Sequence, residues 1–152
     1  MRYLKIIALA MVTLLATSDS RGQELSPELQ KLMEVDIVAF GGVGFAGRIS
    51  EAEIAFQKIL AHDQAVEMFN RLTAEAKPAG QVYALYGLYL KDREAFKQRL
   101  TQVRAGIKKD QKILVQTGCT ITSEDADEVI KKTESDIYNS IYLQHLGITK
   151  KK

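Results

Sequence analysis

Gly42-x-Gly44-x-x-Gly47 is the spacing in this chain that comes nearest to a chemical fingerprint. In a dinucleotide-binding unit, glycines so spaced let the backbone turn tightly and approach a pyrophosphate, which rests on the amides of a helix start. The fingerprint needs a βαβ context, with an acidic residue on a second strand about twenty positions further on. Here residues 47–76 read as two helices, no second strand follows, and Asp63 falls at a helix start. The sequence therefore argues for a structural glycine loop, with some glycines at positive φ and with Val43 and Phe45 packed. One further use is open to it. Phe40 and Phe45 would flank exposed backbone amides, which makes Phe40, Gly42, Gly44 and Phe45 candidates for a recognition surface.

Cys119, the only cysteine, follows Gly118. A reactive thiol needs a base or a positive field to become a thiolate, and only His62 and His145 are at hand, with no motif tying either to it. A buried structural thiol is the plainer reading, with a reactive thiol as the alternative. Two isolated histidines cannot supply the three or four ligands of a zinc site. The acidic run Glu124, Asp125, Asp127, Glu128 lacks the glycine turn and distal glutamate of a calcium loop; a helix dipole explains it. No metal and no cofactor are expected. Tyr83, Tyr86 and Tyr89, three apart, and Tyr138 with Tyr142, four apart, make aromatic ridges. Such ridges either close a core or bind a ligand, so Tyr86 and Tyr89 join the candidate recognition residues.

The elements that must position these residues begin after a leader. Arg2 and Lys5 precede an eleven-residue apolar run, Ile6 to Ala16, followed by small polar residues. This reads as a secretory signal peptide over residues 1–22, too short to span a bilayer. Export to the periplasm or beyond is expected, with no integral membrane anchor after cleavage. Removing residues 1–22 leaves 18 basic and 18 acidic side chains of the whole chain's 21 and 19. A neutral body with a short basic tail, residues 150–152, gives no footing for nucleic acid. Residues 23–149 suffice for a single domain, which a lone cysteine leaves to be held by packing.

Val82 to Leu90 contains no charged side chain and no side-chain amide, the mark of a helix buried all round. Pro78 and Gly80 break the chain before it. Ser26-Pro27-Glu28 opens a first helix, and Val35 to Phe40 continues as helix or strand. Ser50-Glu51-Ala52-Glu53 spells a reciprocal capping box. Asp63, Asp92 and Ser123 are expected to cap later helices. Residues 112–122 read as a short β-pair.

An offset of 29 residues brings Ala55 onto Ala84, Phe56 onto Leu85, Ile59 onto Leu88 and Asp63 onto Asp92. This resembles HEAT- or armadillo-like stacking of helical hairpins. The expected fold is mainly α, with five or six helices in stacked hairpins or a bundle. The expected function is a secreted, non-catalytic module that binds a protein or another envelope component. The alternatives are a small-ligand or lipid-binding protein with an apolar cavity at Tyr86, Tyr89 and Tyr142, and an enzyme of unrecognised class.

Overall fold

The structure, a computed structural model, describes residues 25–135 and Tyr138. The leader, Tyr142, His145 and the lysine tail lie outside the described residues. Six helices and five short strands follow one another as α1 (Pro27–Glu34), β1 (Ile37–Val38), β2 (Gly42–Val43), β3 (Arg48–Ile49), α2 (Glu51–Leu60), α3 (Ala65–Glu75), α4 (Pro78–Lys91), α5 (Arg93–Gly106), β4 (Lys112–Thr117), β5 (Thr120–Asp125) and α6 (Ala126–Glu134). The chain is mainly helical, as its apolar periodicity requires.

The uncharged helix α4 is the axis of the core. Val82 to Tyr89 are all buried, and α4 touches α1, α2, α3, α5 and α6 as well as β1 and β4. Each fully buried leucine or aromatic ring there contributes about 1.5–3 kcal/mol. Two glycines let neighbours approach it. A Cβ on Gly87 would lie 2.4 Å from the ring of Phe69 in α3, and one on Gly80 would lie 2.1 Å from the carbonyl oxygen of Leu32 in α1. Gly80 therefore does not precede the helix as a breaker. Pro78 opens α4 at its first turn, where a missing N–H costs nothing, and Gly80 seats the end of α1. The Lys77 amide donates to the Met33 carbonyl at 3.0 Å.

The caps divide between expected and unexpected. Ser26 accepts from the Leu29 amide, and Asp92 from the amides of Glu94 and Ala95. Asp63 makes no cap: α3 starts at Gln64 without a side-chain cap, and His62 Nδ1 accepts the Gln64 amide instead. Ser123 lies in β5, and Asp125 caps α6 by accepting from the Asp127 amide. The β-rich residues extend the hairpin three positions further than expected, through Asp125.

The sheet order is β1-β4-β5, with β1 parallel to β4 (Ile37 beside Leu114, Val38 beside Val115) and β4 antiparallel to β5. Val38, Ile113 and Val115 turn inward onto the helices and are buried. Leu114 and Ile121 turn outward, Ile121 opposite Gln116 and hence on the face of Leu114. Beside this sheet, β2 and β3 form a separate antiparallel hairpin.

Candidate functional site

The hairpin of residues 42–49 is fixed at its root by buried polar groups. Ser50 Oγ accepts the Glu53 amide at 3.0 Å, the first half of the expected capping box. The second half is absent. Glu53 reaches instead into the core, where its fully buried carboxylate accepts the Gly41 amide at 2.7 Å and the Gln57 side-chain amide at 3.3 Å. Ser50 Oγ also donates to the Ala39 carbonyl at 2.9 Å. The Tyr83 hydroxyl donates to that same carbonyl at 3.0 Å and accepts the Ala39 amide at 2.9 Å. Burial pushes the Tyr83 hydroxyl up to about 12, against the opposing hydrogen bonding from Ala39 and Ser50. Serine, carboxylate and tyrosine thus converge on main chain. They hold the strand entering and leaving the hairpin.

Phe40 is the apolar counterpart of this latch. It is buried, with ring centroids 4.6 Å from Tyr83, 5.2 Å from Tyr86, 5.5 Å from Phe56 and 5.1 Å from Tyr138. Tyr86 is fully buried and stacks on Phe56 and Tyr89; the Tyr89 ring meets Phe96 edge-on and lies 3.3 Å beneath the Arg93 guanidinium. Phe40, Tyr86 and Tyr89 are therefore removed from the expected recognition surface, because their ring faces are already spent on neighbours within the chain.

Phe45 moves the opposite way. Expected to pack, it is fully exposed at the hairpin tip. Gly44 (φ +69°) and Gly47 (φ +57°) take the left-handed backbone the tight turn requires, and the Gly47 amide closes it on the Gly44 carbonyl at 3.1 Å. The Gly44 amide donates at 2.8 Å to the carbonyl of Gly118, itself at φ +56° in the β4–β5 turn, and Val43 bridges Gly118 in parallel. The glycine loop and the Cys119 turn, 75 positions apart in sequence, are thus one composite tip. Cys119 is exposed there rather than buried. His62 sits elsewhere, in the α2–α3 turn. Among the described residues no group of three histidine, cysteine or acidic side chains could hold a metal, and no helix is long and apolar enough to cross a membrane.

The apolar outer surface adds residues not singled out from the sequence: Ile49, Leu114 and Ile121 are exposed. A signal for them was present. Residues 37–47 and 113–123 are two eleven-residue stretches without a charged side chain, in a chain that is 26% charged, and the fold lays them side by side. The chain matches no protein-family model, no curated protein and no solved structure at a significant level.

Proposed function

We propose that this protein is an exported, non-catalytic docking module of the cell envelope, and that it attaches to its partner through the composite tip. The reading rests on one observation. A phenylalanine held fully in solvent by a hairpin clamped at root and tip has no role in the fold. Large exposed apolar side chains presented together on a rigid support are what interaction surfaces need. The same reading takes the helical body as a duplicated hairpin of the HEAT-like kind, from the 29-residue offset that aligns Phe56 with Leu85 and Ile59 with Leu88.

A photoreactive phenylalanine analogue at position 45, illuminated in the native envelope, tests the reading. Adducts at position 45, but not at exposed Ile54 on α2, are expected. Recovery of the unmodified chain alone at both positions would overturn it. Cell fractionation with determination of the mature N-terminus checks the export step.

A further inference from the structure

We infer that the envelope component met by the tip is the lipid surface itself, with Phe45 entering the interfacial layer and Arg48 meeting anionic headgroups. The inference rests on the docking reading above and narrows it to one partner. Three features carry it.

The first is charge. Arg48 is the only charged residue within either β-hairpin between Val43 and Ile49 or between Ile113 and Ser123. It is exposed and has no acidic partner among the described residues. An unpaired cation behind an apolar tip is complementary to a phosphate layer over hydrocarbon.

The second is shape. The tip is a two-strand protrusion carrying one large ring between Gly44, Ala46 and Gly47. It has small bulk to push between headgroups. The third is the backbone. Entry into a poorly hydrated layer is costly for unpaired N–H and C=O groups. At the tip the Gly44 and Gly47 amides are both internally bonded, and Gly42 and Val43 pair with Ile49 and Arg48; this pairing stops short of Phe45 and Ala46, whose backbone stays at the hydrated headgroup level while the ring enters. Ile49 and Ile121, also exposed, would flank the entry site.

The chain has no tryptophan, so Phe45→Trp gives a fluorophore that reports on the tip alone, and Ile54→Trp reports on a distant exposed helix face. Both are made in the protein as recovered from the cell and mixed with vesicles of equal parts phosphatidylglycerol and phosphatidylcholine, or of phosphatidylcholine alone. The expected result is a blue shift and protection from acrylamide at position 45 only, stronger on the anionic vesicles. Phe45→Ser should lose roughly tenfold in vesicle partitioning, in line with the transfer free energy of one aromatic side chain, and Arg48→Gln should lose the preference for anionic lipid. No shift at position 45, or equal shifts at both positions, overturns the inference. A shift at position 45 produced by envelope protein and not by lipid also overturns it, while leaving the docking reading in place.

Discussion

One hydroxyl serves both backbone groups of Ala39, so Tyr83 is the residue whose smallest change should reach furthest. Tyr83→Phe leaves a buried N–H without its acceptor and should cost about 1–3 kcal/mol, read as a shift in the urea midpoint at unchanged slope. The pH dependence follows in sign. A phenol whose pKa is raised in the fold, from 10 to about 12, binds its proton more tightly when folded. Its contribution is complete below pH 10 and is lost as pH climbs toward 12. Alkaline unfolding should therefore be less steep in Tyr83→Phe, with the remainder carried by Tyr138, which burial also pushes up. Glu53 is the acidic counterpart. Glu53→Ala strips the Gly41 amide of its acceptor and should cost about 2–4 kcal/mol. Amide exchange at Gly41 and Gly44 should accelerate more than in the helices, whereas Glu53→Gln, which keeps an oxygen in place, should recover part of the loss. Phe45→Ser should leave the unfolding free energy within about half a kcal/mol of wild type, since that ring touches solvent alone.

Among the elements, α4 was the most legible from sequence, because a run with no polar face has only one place to go. Its glycines were legible in kind but not in partner. Gly87 faces a phenylalanine ring and Gly80 a backbone carbonyl. A ring can be displaced at the cost of repacking and a carbonyl at a helix end cannot, so Gly80→Ala should destabilise more than Gly87→Ala. For a chain of this size, about 2–4 °C in melting temperature corresponds to each kcal/mol. Phe69→Leu should soften the Gly87→Ala effect and leave that of Gly80→Ala unchanged. The caps at Ser26, Ser50 and Asp92 were readable because each satisfies an amide two or three residues away. Those assigned to Asp63 and Ser123 failed, because α3 begins at Gln64 without a side-chain cap and Asp125 took the position at α6. Glu53 was read as closing a local box and instead bonds the Gly41 amide twelve residues back, a choice that only the packed core decides.

At the scale of the molecule, charge is distributed unevenly. The helical body carries ion pairs that join its elements, among them Arg104 of α5 to Asp127 and Glu134 of α6, and Lys77 to Glu34 and Asp36. The hydrogen bonds from Lys131 and Arg104 hold the Asp127 carboxyl below its usual range, so the support it gives α6 is present above that range and fades as acid titrates it. Among the described residues the composite tip has no such pairs. From sequence each half reads mainly as structural, the glycine loop as a packed turn and Cys119 as a buried thiol, with a recognition surface at the loop and a reactive thiol as the second readings. Their juxtaposition is made by the Gly44–Gly118 hydrogen bond and the Val43–Gly118 bridge, beside the pairing of β1 with β4.

That juxtaposition bears on the order of assembly. Ile37 pairs with Leu114 about 77 positions away, so closing β1 onto β4 carries the entropy of a loop containing four helices. Local helices gain their contacts early, and parallel pairing of distant strands comes last. In pulse-labelled refolding, the amides of residues 37–38 and 113–115 should become protected after those of α4 and α5. A chain built this way brings the turns of Phe45 and Cys119 side by side only once the helices behind them have packed, so partly folded copies do not yet carry the composite tip.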